Sequence, residues 1–254
     1  MLKPQVGENI PSFFDSWRIF DMRIGTARGT NLSYEGNIFV AGLSASGKTT
    51  HSYMLAGLFG LTYISGSQIH LSINGLSPVQ ERKFWVTGEA KNLLTEAQFE
   101  RVDKELSRIE KMNTGCIFDS WIMPWRKASN GLCIYLASNL ESRVMKGIVS
   151  RRDSGFHGSE EYKEEIKAKD DAAVNLYRKI YGVDIEKDLH VFDIIIDVTE
   201  FIESPTFESS QVSIQKTQNI LEAAIGYYLT GGLNYRRDFL KHCEKKYILR
   251  NRLV

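Results

Sequence analysis

The sequence predicts an α/β fold in which a parallel sheet is covered on both faces by helices. Three observations carry this prediction. Short, almost continuously apolar segments alternate with helical segments between residues 37 and about 200, and such strands are typical of parallel sheets buried on both faces. A glycine-rich loop joins the first apolar segment to the first helix. The 254 residues, 43% of them hydrophobic, are enough for one full-sized core.

The predicted strands and helices alternate along the chain. Five strands are predicted, over residues 38–41, 61–64, 116–118, 133–137 and 192–198. Helices are predicted over residues 49–58, from 95 to about 112, over 139–150 and 159–181, and from about 210 onward. Thr95 followed by Gln98 fits a capping box at the start of the second helix, and Gly115 suits the stop after its end.

The composition excludes several classes of protein. Lys and Arg number 32 against 31 Asp and Glu, so the net charge is +1, which argues against intrinsic disorder and against a chain that is basic overall. No apolar run approaches the roughly 18–20 residues of a membrane span, and the first residues lack a signal-peptide pattern. The three cysteines form no CxxC pair, so a zinc site is not supported. We expect a cytoplasmic protein with no membrane partner.

Three regions are predicted. Residues 1–36 form an N-terminal extension of unassigned role, residues 37–205 form the main domain with a mobile lid around 151–181, and residues 206–254 form a C-terminal helical segment with a basic tail. The tail from residue 234 has seven Lys/Arg against two Asp/Glu, a net charge of +5. Such a tail leaves nucleic acid open as a partner, although a solvated helix face is the commoner explanation.

The chemistry is concentrated in residues 42–50, which match the P-loop or Walker A pattern G-x-x-x-x-G-K-[ST]. The loop follows an apolar strand and opens a helix, so its backbone N–H groups and the helix N-terminus favour phosphate. Lys48 is predicted to reach the β- and γ-phosphates, and the Thr49 hydroxyl to bind Mg²⁺. The residues expected to hold ATP are Gly42, Ser44, Ala45, Ser46, Gly47, Lys48, Thr49 and Thr50.

Further catalytic candidates follow from position. Asp119 ends the strand 116–118, where a carboxylate would hold Mg²⁺ or orient the acceptor, or would simply cap the next turn. Arg151 and Arg152 lie between a predicted helix and a glycine-containing segment, which suits a lid that closes on a transferring phosphoryl group. The sequence does not distinguish between the two arginines, and a solvated helix end would also explain them.

Two further residues are candidates for binding the acceptor. Trp121 follows Asp119 closely, and an aromatic ring beside a phosphate site could stack on a base, although such residues are more often core. His70 could contact an acceptor phosphate, but a lone histidine is more often structural.

Over residues 37–200 the sequence resembles nucleoside monophosphate kinases, in particular the short archaeal form of the cytidylate kinase-like family. The resemblance rests on the P-loop, on Asp119 at the place of the family's Asp-Gly-Arg, and on the stretch YRKIYGVDI at 177–185 followed by FDIIID at 192–197. It implies a five-stranded parallel sheet in the order 2-3-1-4-5, a helical lid, and phosphoryl transfer from ATP to CMP or dCMP.

The departures from the family pattern lie in the acceptor half. His70, Trp121 and Leu176 stand where the family has arginines, Ala173 stands for its aspartate, and Lys169 replaces the first arginine of the lid pattern. In the family these positions grip the acceptor, so Lys169 becomes a candidate for binding it. A monophosphate carries about two negative charges, and losing several arginines should weaken its binding.

The sequence therefore predicts an ATP- and Mg²⁺-dependent kinase with a nucleotide-like acceptor. Two alternatives stay open: a P-loop kinase with a different acceptor (a nucleoside, a hydroxylated metabolite or a hydroxymethylated pyrimidine in DNA), and a non-catalytic ATP-binding protein. The sequence fixes neither the acceptor nor the oligomeric state.

Overall fold

The computed structural model describes residues 34–76, 95–151, 159–230 and 248–249. Within these residues one sheet has the strand order β2-β3-β1-β4-β5-β6, and the first five strands are parallel. The order 2-3-1-4-5 is therefore confirmed. The strands are β1 (Asn37–Ala41), β2 (Thr62–Ser65), β3 (Cys116–Asp119), β4 (Gly131–Ala137), β5 (Ile194–Asp197) and β6 (Ile248–Leu249).

A sixth strand extends the predicted five-stranded parallel sheet at the edge next to β5. β6 pairs antiparallel with β5 through Ile194–Leu249 and Ile195–Ile248, in a segment predicted to be helical. An antiparallel edge strand on an otherwise parallel sheet is common. Two residues are too few to show the alternating pattern by which a strand is predicted from sequence.

Seven α-helices occur in the described residues; five lie close to their predicted bounds, and two short ones, the second and the fourth, were not predicted. The helices are α1 (Lys48–Phe59), α2 (Gly66–Ile73), α3 (Glu96–Met112), α4 (Met123–Arg126), α5 (Leu140–Arg151), α6 (Ser159–Tyr181) and α7 (Phe207–Thr230). The Gln98 side chain accepts from the Thr95 N–H at 3.5 Å, as expected for a capping box. None of these helices is long and apolar enough to cross a membrane.

The helices cover both faces of the sheet, because successive strand residues point to opposite sides. On one face, Ile38 and Val40 pack with Leu55 of α1 and Leu221 and Ile225 of α7. On the other face the alternate residues of the sheet pack against α3 and α4, in a core that contains Phe39, Phe118, Leu106, Met123 and Phe192. This is the three-layer α/β/α architecture of the P-loop NTPase fold.

The strand register determines where the site lies. Asp119, the last residue of β3, is opposite Val40 of β1 and Ser65 of β2. The carboxyl ends of three neighbouring strands therefore meet at one edge of the sheet, which is where open α/β sheets bind ligands. The loop after β1 and the N-terminus of α2 open at the same edge.

Helices α5 and α6 are in close contact at this edge. A Cβ atom at Gly147 would come within 2.0 Å of the Tyr162 ring, so glycine is required for this approach. The lid predicted over 151–181 includes α6 and the segment before it; residues 152–158, with Arg152, lie outside the described residues. So do residues 1–33 and most of the basic tail.

Candidate functional site

The loop between β1 and α1 is shaped by backbone geometry that glycine supplies. Gly42 has φ 149°, and a Cβ atom there would lie 2.6 Å from the carbonyl oxygen of Leu136. Gly47, with φ 104°, is the N-cap of α1. The Ser46 N–H donates to the Leu43 carbonyl at 3.2 Å, which closes the turn. The loop thus places the N-terminus of a twelve-residue helix at the sheet edge.

Two serine side chains of the loop have buried hydroxyl oxygens. The hydroxyl groups of Ser44 and Ser46 are buried, and neither has a partner among the residues that the structure describes. Ala45, between them, has φ 59°, unusual for a residue other than glycine. A strained loop with unsatisfied polar atoms at a helix N-terminus fits a phosphate group, which accepts hydrogen bonds on several oxygens.

Lys48 is the first residue of α1 and lines a cavity of about 320 Å³, which we call the main cavity. Its Nζ donates to the Leu43 carbonyl at 2.9 Å and lies 6.0 Å from the centre of the Trp121 ring. Burial lowers the pKa of Lys48, while the negative charges of Asp119 and Asp170 oppose that shift. An anion bound in the cavity would stabilise the charged form of Lys48, which burial destabilises.

Asp119 and Thr49 form a close polar pair in the site. The Thr49 hydroxyl donates to Asp119 Oδ2 at 2.6 Å, and the Tyr63 hydroxyl donates to the same oxygen at 3.1 Å. A hydroxyl and a carboxylate are hard oxygen ligands, and Mg²⁺ in phosphate sites binds one or two such groups together with phosphate and water. The pair therefore fits Mg²⁺, although no larger cluster of His, Cys, Asp or Glu suited to a metal occurs in the described part of the chain.

The main cavity joins the predicted site residues. Of the predicted residues, those that line it are Ser44, Ala45, Lys48, Thr49, His70, Asp119, Trp121, Arg151 and Lys169. Ser46, Gly47 and Thr50 line a second cavity of about 70 Å³ on the other side of the loop, against α5 and α7. The tertiary structure thus brings together residues that are more than a hundred positions apart in sequence.

Trp121 lies close to two lysines. Lys169 Nζ is 5.6 Å from the centre of its ring, and Lys48 Nζ is 6.0 Å from it. Burial first, and the neighbouring Lys48 second, lower the pKa of Lys169 to about 8. Two desolvated ammonium groups beside the phosphate loop make a strong site for negative charge.

Arg151 lies at the cavity wall but is bound within the protein. Its guanidinium donates two hydrogen bonds of 2.8 Å to the Glu165 carboxylate and lies over the Tyr162 ring at 4.3 Å. The sequence did not indicate this bidentate partner. Arg151 lines the same cavity as Ser44 and Ala45 of the phosphate loop, whereas the alternative candidate Arg152 lies outside the described residues.

A buried ion pair that sequence reasoning missed joins α5, α6 and the phosphate loop. Arg143 Nη1 donates to Asp170 Oδ2 and, at 3.0 Å, to the Ser44 carbonyl. Asp170 Oδ1 accepts from the Ser44 N–H at 2.9 Å. The two side chains are only 7% and 8% exposed. In the sequence, Asp170 directly follows Lys169 of the lid pattern. This position next to a candidate site residue could have marked Asp170 as a further candidate.

Sequence reasoning also missed Asp103, Phe99 and Tyr177, which line the cavity from α3 and α6. Phe99 and Asp103 are one helical turn apart, and both are buried. A charged residue on the apolar face of an amphipathic helix was the available signal. Trp125, in contrast, is a core residue: its Nε1 donates to the Asp188 carbonyl at 2.8 Å, and its ring packs on Phe192.

Sequence comparison finds cytidylate kinases. The chain is 26% identical over 182 residues to cytidylate kinase 2 of Borrelia garinii subsp. bavariensis, covering 70% of this chain and 96% of that protein. It is 26% identical over 179 residues to the cytidylate kinase of Methanosarcina barkeri, covering 70% and 95%. No family model matches the chain.

Among solved structures, shikimate kinase from Acinetobacter baumannii in complex with shikimate aligns with a TM-score of 0.40 and 16% identity, covering 75% of this chain and 95% of that one. The sequence similarity to cytidylate kinases covers 70% of the chain. Together with the observed strand order, it identifies the chain as a P-loop kinase that resembles the cytidylate kinases.

Proposed function

We propose that the protein is an ATP- and Mg²⁺-dependent phosphotransferase that acts on a nucleotide-like small molecule. The observation that carries this proposal is the convergence of Lys48, Thr49 and Asp119 at one end of the cavity, with 2.6 Å between the Thr49 hydroxyl and the Asp119 carboxylate. The similarity to cytidylate kinases supports a nucleotide-like acceptor.

The donor phosphates would lie against the phosphate loop. Backbone N–H groups at the start of α1 point toward that space, and the buried hydroxyl of Ser44, which lines the main cavity, is available as an additional donor. Lys48 would exchange its hydrogen bond to the Leu43 carbonyl for phosphate oxygens. A charge-assisted hydrogen bond to phosphate is about twice as strong as a neutral one, which favours the exchange.

Thr49 and Asp119 would hold Mg²⁺. When bound, the ion neutralises charge that develops on the β- and γ-phosphate oxygens. Tyr63 orients the Asp119 carboxylate by donating to Oδ2.

The transfer itself depends on positioning and electrostatics. An acceptor oxygen forms a bond to the γ-phosphorus as the bond from phosphorus to the β,γ-bridging oxygen breaks, and ADP leaves with the electron pair. Where the acceptor group is a hydroxyl, its proton passes by way of the Asp119 carboxylate to water. Lys48 and Lys169 stabilise the transferring phosphoryl group, and the Trp121 ring lies close to both ammonium groups.

The test is transfer of labelled phosphate from γ-labelled ATP with Mg²⁺. The acceptors are CMP, dCMP, UMP, AMP, the corresponding nucleosides, and DNA with plain or hydroxymethylated pyrimidines. We expect transfer to at least one acceptor, and we expect Lys48→Ala to lower kcat by about 10² or more. Lys104→Ala, an exposed lysine on α3, is the matched control. Tight ATP binding without transfer to any acceptor would contradict the proposal and would indicate a non-catalytic ATP-binding protein.

A further inference from the structure

Helices α5 and α6 together form one wall of the main cavity. The α6 residues of this wall are spaced as on one helix face: Tyr162, Glu165, Ile166 and Lys169. Arg151, the last residue of α5, lines the cavity beside them. Tyr162 and Ile166 belong to a small core against which Ala45 of the phosphate loop packs. The wall is therefore in contact with the loop that is proposed to hold the donor phosphates.

The Arg151 side chain is held in this wall from two sides. Its Nη1 and Nη2 each donate to one oxygen of the Glu165 carboxylate at 2.8 Å. The same guanidinium lies over the Tyr162 ring at 4.3 Å, and that ring is itself confined by its close approach to Gly147. A fork to a carboxylate and a stack on an aromatic ring fix the plane of a guanidinium. The protein itself therefore orients Arg151 at the cavity wall.

The charge of Arg151 acts inside the cavity. Its positive charge and that of Lys48 both contribute to the lowered pKa of Lys169, after the larger effect of burial. The three cationic groups are therefore close enough to act on one bound anion. A guanidinium has five N–H donors and can serve two acceptor groups at once, so Arg151 can bind a phosphoryl oxygen while it stays paired with its carboxylate.

Glu165 requires an explanation, because it places a negative charge in a cavity suited to phosphates. The carboxylates that line this cavity in the described part of the chain are Asp103, Asp119 and Glu165. Asp119 bonds to Thr49 and suits Mg²⁺, and Asp103 lies 3.7 Å from Arg126. The Glu165 side chain is 35% exposed, and so exposed an ion pair contributes little to stability. A carboxylate that repels phosphate and stabilises the fold little is best explained by the cation that it orients.

We propose that Glu165 is a positioning residue of the phosphotransferase: it holds the Arg151 guanidinium in the orientation in which it contacts the transferring phosphoryl group. The inference rests on the proposed function and adds two residues to it. Arg151 stays paired with Glu165 as it donates to the phosphoryl oxygens. Glu165 itself does not contact the substrate, so its whole effect on the reaction passes through Arg151.

The first test separates kcat from KM. With the full chain, γ-labelled ATP, Mg²⁺ and the acceptor that the wild type uses best, Arg151→Ala should lower kcat by about 10²-fold. Glu165→Gln, which has the same size without the charge, should lower kcat at least about tenfold. Its KM for ATP should stay the same or fall, because the cavity loses a negative charge. An unchanged kcat would contradict the proposal. A raised kcat would also contradict it, since Glu165 would then withhold Arg151 from the phosphate.

The double variant tests whether Glu165 acts through Arg151. In Arg151→Ala/Glu165→Gln, kcat should equal that of Arg151→Ala alone, because nothing is left for the carboxylate to orient. A carboxylate with its own role in the reaction or in the fold would lower kcat by the same factor in both backgrounds. A further tenfold loss in the double variant would therefore overturn the proposal.

Binding and stability provide readouts that do not depend on turnover. The Kd of Glu165→Gln for the ATP analogue with an imido group between the β- and γ-phosphates, measured by calorimetry with Mg²⁺, should not exceed the wild-type value. The urea midpoint should also stay unchanged. Glu164→Gln, an exposed carboxylate on the same helix, is the matched control and should change none of these quantities. A weaker Kd together with a lower urea midpoint would show that Glu165 is structural and that the proposal is wrong.

The failure of this inference is distinct from the failure of the proposed function. Transfer to no acceptor by the wild type would overturn both. A normal kcat in Glu165→Gln, beside a wild type that is active and a Lys48→Ala variant that is not, would overturn the role of Glu165 alone.

Discussion

The two ends of the cavity are built in different ways. The donor end comes from one contiguous loop, residues 42–50, and from Asp119 at the end of the adjacent strand. The other end, which we call the acceptor end, is formed by His70, Phe99, Asp103 and Tyr177, single side chains on α2, α3 and α6. Phosphate is recognised largely by backbone N–H groups, which one loop can supply, whereas a specific acceptor requires side chains from several elements. The donor end therefore has a short motif in the sequence and the acceptor end does not.

The two ends are nevertheless joined by one buried ion pair. Asp170, on the same helix as Tyr177, accepts from the Ser44 N–H of the phosphate loop, and Arg143 donates to the Ser44 carbonyl. Helix α6 thus contributes to both ends. Variants of Arg143 in the ion pair, of Asp119 at the donor end and of Lys169 on α6 test whether the two ends act independently or are coupled.

The largest expected effect comes from breaking this ion pair. Arg143→Met leaves Asp170 buried without its charge partner and should lower the free energy of unfolding by about 3–5 kcal/mol, measured by urea denaturation. The double variant Arg143→Met/Asp170→Leu removes both charges and should be more stable than the single variant. If Arg143→Met changed only acceptor binding and neither stability nor the KM for ATP, the coupling of α6 to the phosphate loop would be refuted.

A smaller effect, confined to the donor end, is expected from Asp119→Asn. The change removes the charge that would bind Mg²⁺, so kcat should fall by about 10²-fold and the Mg²⁺ concentration for half-maximal activity should rise. Tyr63→Phe is the matched control, because it removes only the 3.1 Å hydrogen bond to the same oxygen, and its effect should stay below about tenfold. Equal effects of the two variants would show that Asp119 has only a structural role.

The smallest expected effect is a dependence of the activity on pH that comes from Lys169 on α6. A lysine whose pKa is lowered to about 8 is charged below that pH and loses its charge as the pH rises through it. Activity should therefore decline above about pH 8, and Lys169→Arg should move the decline to higher pH, because arginine stays protonated. An unchanged profile in Lys169→Arg would assign the decline to Lys48, whose pKa burial also lowers.

Much of the architecture was predictable. The buried parallel strands, the long helices and the phosphate loop leave strong local patterns, since apolar periodicity and glycine spacing reflect the backbone directly. The strand order followed from the resemblance and is confirmed. The short strand β6 was not predicted, because two residues leave no detectable period.

The sequence by itself determined that this is a P-loop fold with Lys48, Thr49 and Asp119 at one sheet edge, because local geometry and strand ends place these residues whatever the rest of the chain does. Only the tertiary structure decided that Arg151 binds Glu165, that Asp170 holds the phosphate loop, and that Asp103 borders the acceptor end. These contacts join residues from separate helices, and their formation depends on how α3, α5 and α6 pack. Helix packing brings distant side chains together without leaving a pattern in the local sequence.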